Sequence, residues 1–345
     1  MASSPIARSR AGALRGRRAG GVLRFDGIPF AAPPVGELRF CAPRPAAPWT
    51  GLRDADAPRP GPLQLPGPAL GTRPVGAGSE DCLHLNVVTP GTAGTRPVLV
   101  WIHGGGFTNG HAADPLHAGE RLAARGDLVL VTLDYRLGAF GWLHDPDDPS
   151  GSNIGLRDQL AALRWVREEI AAFGGDPERV TVCGESAGAM SILALMGTPE
   201  ADALFAGAIL QSPAAGGLQS PGRATEVRAR FADQLGGDDP GAWRRLEAAR
   251  ILAAQGVVGE ALRRETNRSA WRPVLDGALI VAGALDAQRR SVNRRRPLLL
   301  GTNRDEQRLF VNLRERLDPE RARDRLAAAL ASRCADPDAA AGRVL

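Results

Sequence analysis

The chain has 345 residues, of which 43% are hydrophobic and 23% charged, a composition that excludes a disordered tail or a fibrous repeat. Its formal charge is +5, and because it contains no lysine all 43 basic residues are arginine. They are spread along the chain rather than clustered among aromatics, which make up only 5%, so they read as solvated surface cations and not as a nucleic-acid-binding face.

The N-terminus, MASSPIARSRAGALRGRR, lacks the apolar stretch of a secretory signal, and the GRRAGG that overlaps its end reads as a turn opening a folded domain. From there to about residue 95 the chain is rich in proline and glycine. Short alternating segments such as Val22–Phe25 and Leu83–Val88 predict an antiparallel entry region of strands and loops. From residue 96 compact apolar runs bounded by turn residues appear: Val98–Ile102, Leu128–Leu133, Val180–Cys183, Ala208–Leu210 and Leu298–Leu300. Runs so short and so continuously apolar suit strands of a parallel sheet buried on both faces. Between them, Leu156, Leu160, Leu163, Val166 and Ile170 fall on one face of a helix over 156–173, and 187–196 is a second helical candidate. The Arg294–Arg296 triplet before the last of these strands reads as a polar edge. Strand alternating with helix predicts an α/β sheet covered on both faces, with its chemistry beyond the carboxyl ends of the strands.

Three features stand at such ends. Val180-Thr-Val-Cys-Gly184-Glu185-Ser186-Ala187-Gly188 is a strand, a G-x-S-x-G turn and the small-residue start of a helix. The sharp turn needs glycine on both flanks, holds the Ser186 hydroxyl at its apex and aims the Ala187 N–H at a developing oxyanion. The pattern alone is weak; the strand before it and the helix after it supply the context it requires. His103-Gly104-Gly105-Gly106-Phe107 follows another strand, and three consecutive glycines let backbone N–H groups turn toward a ligand oxygen. Finally, Gly301-Thr-Asn-Arg-Asp305-Glu306 puts a carboxylate just after a strand downstream of the serine, where either acid can orient a histidine.

Taken with Gly27–Gly36 (GIPFAAPPVG), Ser79–Val87 (SEDCLHLNV), Asp134–Gly138 (DYRLG) and Phe173–Pro177 (FGGDP), these segments make the chain resemble the type-B carboxylesterase/lipase family, which includes bacterial carboxylesterases and cholinesterases. The likeness runs from about residue 12 to the end. It implies a single α/β-hydrolase domain over 1–345, with an N-terminal strand and loop region (1–95) and a central sheet carrying the nucleophile elbow (96–345). It also implies Ser186 as nucleophile, Gly104, Gly105 and Ala187 as oxyanion donors, and a glutamate as the acid, which falls on Glu306. The substrate implied is a small-molecule carboxylic ester, hydrolysed through an acyl-enzyme. Neither cofactor nor metal is expected, nor nucleic acid nor a membrane span, and oligomeric state is left open.

The departures are as informative. The partner of the cysteine in SEDCL belongs near Pro62-Leu63-Gln64, where there is none, so Cys82 is expected to be a free thiol, and the four cysteines (41, 82, 183 and 334) suit a cytoplasmic protein. Gln307 stands where the family has glycine after the acid. The five histidines, at 84, 103, 111, 117 and 144, all precede Ser186, so none stands where the family places its catalytic base. His103 belongs to the glycine loop, His111 is a weak substitute near the expected site mouth, and His84, His117 and His144 read as loop or surface residues. The segment ending at Leu345 resembles mid-domain family sequence, which predicts a truncated chain with an exposed sheet edge and little activity. The rival readings are a non-catalytic carboxylesterase-like binding module and an inactive remnant; the intact Ser186, glycine loop and acid favour the enzyme.

Overall fold

The apolar runs form the strands expected of them, in an order that the sequence does not announce. The computed structural model describes residues 4–66, 78–214, 217–266, 269–283, 286, 296–306, 323–324, 326–327 and 336–344. Cys334, Gln307, Arg294 and Arg295 lie outside these. The chain divides into two compact units, Met1–Gly301 and Thr302–Leu345, each described by itself.

In the first unit the strands are β1 (Ile6–Arg8), β2 (Ala13–Arg15), β3 (Arg17–Ala19), β4 (Val22–Pro29), β5 (Leu52–Asp54) and β6 (His84–Thr89). There follow β7 (Arg96–Ile102), β8 (Val129–Leu133), β9 (Gly175–Glu185), β10 (Gly207–Gln211) and β11 (Leu298–Gly301). The helices are α1 (Glu120–Gly126), α2 (Gly138–Trp142), α3 (Ile154–Glu169), α4 (Ala187–Leu195), α5 (Pro221–Leu235), α6 (Pro240–Arg244) and α7 (Ala248–Thr266). β1, β2 and β5 make a small sheet. The other eight strands form one sheet in the order β11-β10-β9-β7-β8-β6-β4-β3. The five strands from β11 to β8 are parallel, and β6, β4 and β3 continue the sheet antiparallel.

Alternate residues of the central strands face two cores. Val98, Val100 and Ile102 join the larger one, into which α3 turns Leu156, Leu160, Leu163 and Val166, all essentially solvent-free. A short 3₁₀ turn, Ile170–Phe173, ends that helix earlier than the periodicity suggests. Leu99 and Trp101 face the opposite, smaller cluster of Val22, Val88, Ala123 and Leu130 under α1. α4 packs on β9 and β10.

Two expectations need correction. The first is His84 as a loop or surface residue: it stands on β6, and β4 and β6 are buried at every position, including the side that carries Arg24, Asp26 and Asn86. α1 covers that side, and the polar residues there pair with one another: Arg24 binds Asp26 at 2.7 Å and also Glu120, and Asn86 donates to Thr132 at 3.0 Å. Pairing offsets the desolvation cost of such a buried charge, which removal of either partner would leave uncompensated. His144 is likewise buried rather than at the surface, with its Nδ1 2.8 Å from the Ser152 hydroxyl. The second correction is β11, expected to be buried on both faces: Leu298, Leu299 and Leu300 are 47%, 64% and 58% exposed. Among the described residues it is the sheet's edge and pairs only with β10.

The described part of the second unit includes the helix α8 (Pro337–Val344). No helix among the described residues is long and apolar enough to cross a membrane.

Candidate active site

Strand register brings the site together. Ile102 on β7 pairs with Gly184 on β9, so the glycine loop leaves the sheet beside the serine turn. On the far side of β7, Leu133 pairs with Ile102, which brings Asp134 and Tyr135 up beside His103. On the far side of β9, Gln211 pairs with Glu185, and the Gln211 carbonyl accepts the Ser186 N–H at 2.9 Å.

Ser186 stands between β9 and α4 at φ 50°, ψ −114°, a conformation an L-residue holds only when its surroundings force it. The forcing contacts belong to glycines. A Cβ on Gly188 would lie 2.0 Å from the Ile102 carbonyl oxygen, and one on Gly184 would lie 2.7 Å from the Gly188 carbonyl carbon. Strand, turn and helix therefore pack backbone to backbone, and Ser186 is pushed outward to partial exposure. Ala187 is the first residue of α4, one of the helix positions whose N–H has no intrahelical acceptor.

The glycine loop meets this turn directly. A Cβ on Gly104 would fall 3.5 Å from Ser186 Cβ and 2.6 Å from a Glu185 carboxylate oxygen, so only glycine lets the two backbones approach. Gly105, Gly106 and Phe107 follow in the left-handed region at φ 103°, 64° and 66°. The loop closes on itself, with Thr108 and Asn109 N–H groups donating to the Gly105 carbonyl at 3.2 and 2.9 Å. Phe107 plugs into the core edge-on to Trp142, ring centroids 4.7 Å apart, and its carbonyl accepts the Gly138 N–H.

Beneath the loop lie residues that a motif search does not single out for this task. The Tyr135 hydroxyl donates to the His103 carbonyl at 2.9 Å and its ring stacks on the imidazole at 4.4 Å. Asp134 reaches both ends of the loop: its Oδ1 lies 3.9 Å from His103 Nε2, 3.2 Å from His111 Nδ1 and 2.8 Å from the Ala112 N–H that it accepts. Arg136 ties the same segment to α3 through a buried bidentate pair with Asp158 at 2.6 and 2.8 Å. The sequence signal for these roles is that DYR opens the DYRLG segment of the family likeness and directly follows a strand.

Electrostatics distinguishes the two histidines. Burial pushes His103 down to about 4, against the pull of Asp134, so it is neutral and its Nδ1–H donates to the Gly104 carbonyl at 2.9 Å. For His111 burial also acts downward, but the hydrogen bond and charge of Asp134, with Asp114, outweigh it and raise the pKa. His111 is 3% exposed and its ring packs against Gly61, where an added Cβ would lie 2.8 Å away; it is a buried partner of Asp134, not a residue of an open site mouth. Cys82 is a free, buried thiol, and burial also pushes Cys183 up to about 11, so neither is poised as a nucleophile.

Of the residues singled out from sequence, Ser186, Ala187, Gly104 and Gly105 are thus neighbours at the ends of adjacent strands. Glu306 belongs to the second unit, five residues beyond the end of β11, where its Oε2 accepts the Asn303 N–H at 2.7 Å. Among the described residues no group of three or more His, Cys, Asp or Glu side chains is arranged to hold a metal.

The comparisons with known proteins agree with this architecture. The para-nitrobenzyl esterase of Bacillus subtilis (strain 168) is 40% identical over 316 residues, which are 88% of this chain and 63% of the relative. Phenmedipham hydrolase of Pseudarthrobacter oxydans is 42% identical over 318 residues, 89% of this chain and 62% of the relative. The chain therefore spans somewhat less than two thirds of these curated relatives. A solved PNB esterase superposes with a TM-score of 0.86 at 38% identity, covering 97% of this chain and 70% of the other. The Geobacillus stearothermophilus carboxylesterase EST55 superposes at 0.83 with 37% identity, covering 94% of this chain and 69% of the other. The α/β-hydrolase fold is common to all of them. The model of the carboxylesterase family matches residues 3–335, and the chain belongs to that family.

Proposed function

We propose that the chain carries the nucleophile and oxyanion-binding parts of a serine carboxylic ester hydrolase. Ser186 attacks the ester carbonyl, its Oγ–C bond forming as the carbonyl oxygen takes up negative charge. The N–H groups of Gly104, Gly105 and Ala187 stabilise that charge. The base that takes the Ser186 proton returns it to the leaving oxygen as collapse expels the alcohol, and water then releases the acid from the acyl-enzyme. Glu306 is the acid that orients the base. The observation that carries the reading is the strained Ser186 held beside Gly104, whose Cβ position is 3.5 Å from its own Cβ. The relatives' names, para-nitrobenzyl esterase and phenmedipham hydrolase, favour small-molecule substrates of the ester class.

A serine hydroxyl needs a base to take its proton. Residues 1–345 hold no histidine after Ser186, and His111 is buried on Asp134. That observation favours a second reading for these residues on their own, a carboxylesterase-like body that binds but does not turn over. Labelling with a fluorophosphonate in the presence of imidazole as the base, followed by peptide mass spectrometry, separates serine from serine: modification is expected on Ser186 and lost in Ser186→Ala. Label on Ser191 or Ser212 with Ser186 unmodified would overturn the assignment.

A further inference from the structure

We propose that Gln64 is a positioning residue for the glycine loop, fixing Gly104 and Gly105 against Ser186 through Gly110. The inference rests on reading those glycines as oxyanion donors, as proposed above, and adds a residue outside every motif that identifies the site.

Gln64 lies in a segment fastened to its neighbour, with the Ser79 N–H donating to the Gly61 carbonyl at 2.8 Å and a bridge between Pro62 and Ser79. All the bonding capacity of its amide is used. Oε1 accepts the Gly110 N–H at 3.0 Å and Asn109 Nδ2 at 3.4 Å, while Nε2 donates to the Gly110 carbonyl at 2.9 Å and the Pro62 carbonyl at 3.1 Å. The side chain thus pairs with both polar groups of buried Gly110, as a neighbouring strand would.

Gly110 in turn leaves the loop no slack. At φ 125° a Cβ on it would lie 2.1 Å from His103 Nδ1 and 2.6 Å from the Gly104 carbonyl oxygen. One on Gly105 would lie 2.1 Å from the Asn109 carbonyl oxygen. Residues 109–110 are therefore pressed against 103–105, and where Gln64 holds Gly110 the Gly104 peptide must follow. Pre-set donors of this kind stabilise an oxyanion because they need no reorganisation when the charge appears. Without the amide, Gly110 loses two bonds inside the protein and the loop can move off Ser186.

The test compares Gln64→Met, similar in length without hydrogen-bonding groups, with Gln64→Glu, whose carboxyl regains a donor only when protonated. Amide hydrogen exchange on residues 1–345 should show Gly104, Gly105 and Gly110 exchanging about tenfold faster in Gln64→Met, with α3 unchanged. Gln64→Glu should match Gln64→Met at pH 8 and approach the unmodified chain, measured at the same pH, below the carboxyl pKa. Fluorophosphonate modification of Ser186, with imidazole supplied as the base, should slow as the exchange quickens. Unchanged exchange at Gly104 and Gly105 in Gln64→Met, or Gln64→Glu equally loose at both pH values, would overturn the proposal. Ser186→Ala is the control: it should leave exchange at these glycines as it was. Failure of Ser186 in the unmodified chain to take the label even with imidazole supplied would count against the catalytic reading, while exchange still decides whether Gln64 sets the loop.

Discussion

β7 and β11 both carry short apolar runs, and both end in a glycine or a glycine-bearing loop. Yet Val98, Val100 and Ile102 of β7 are at most 2% exposed, whereas the three leucines of β11 are 47% to 64% exposed. β7 has β8 on one side and β9 on the other, with cores on both faces; among the described residues β11 has β10 alone. The glycines differ in the same way. Gly188, in the first turn of α4 and packed on the end of β7, has the Ile102 carbonyl oxygen 2.0 Å from where its Cβ would be, and Gly301, at the end of β11, has nothing within 4 Å among the described residues. The difference teaches that an apolar run specifies a strand, and that its neighbours alone decide whether the strand becomes part of a rigid site or an exposed edge.

The sharpest way to break this comparison is to add one methyl group to each region. Gly188→Ala sets a Cβ against the Ile102 and His103 carbonyls, neither of which can rotate away, and should destabilise by about 3 kcal/mol or more. Gly301→Ala should stay within about 0.5 kcal/mol of the unmodified chain. Urea unfolding of both variants checks the pair, and equal losses would mean that the β7 end is no more tightly built than the edge.

A second effect has no counterpart near β11, because no histidine occurs after residue 144. His103 is held neutral down to about 4 by burial, whereas in the unfolded chain it titrates near the ordinary histidine value of 6.5. The unfolded state therefore binds the proton first, so this contribution is complete above the unfolded pKa and disappears as pH falls toward the folded one. A shift of that size corresponds to about 3 kcal/mol. His111 acts oppositely: its raised pKa lends stability below the unfolded pKa that is lost as pH rises through the folded one. In urea titrations between pH 7 and pH 4.5, His103→Gln should flatten the acid-side loss of stability. A loss as steep as that of the unmodified chain would place the acid sensitivity elsewhere.

Much of this was legible in the sequence, for reasons the structure makes clear. The G-x-S-x-G turn and the glycine loop could be read because each needs glycine at fixed offsets, and the contacts at Gly184, Gly188 and Gly104 show why no other residue fits. The helical face over 156–170 could be read because its burial follows its period. The β7–β9 register that joins the two motifs could not be read, since strand order is set by packing and not by any one segment. Gln64, Asp134 and Tyr135 escaped for a related reason: single polar residues act through partners 30 to 46 positions away, as Gln64 does on Gly110 and Tyr135 on His103. The exposure of β11 is invisible in three leucines that would suit a core equally well.

The central claim is that Ser186 sits in a built acyl-transfer site whose base is absent from residues 1–345. Loss of the triad histidine in a serine protease costs on the order of 10⁶ in kcat. Turnover of a nitrophenyl ester by the purified chain, beside Ser186→Ala and with and without added imidazole, tests this most directly. The expected result is a rate close to the Ser186→Ala control without imidazole, and a Ser186-dependent rate once imidazole is supplied as the base. Turnover of several per second without imidazole that vanishes in Ser186→Ala would contradict it, because a group already present in the chain would then be taking the proton.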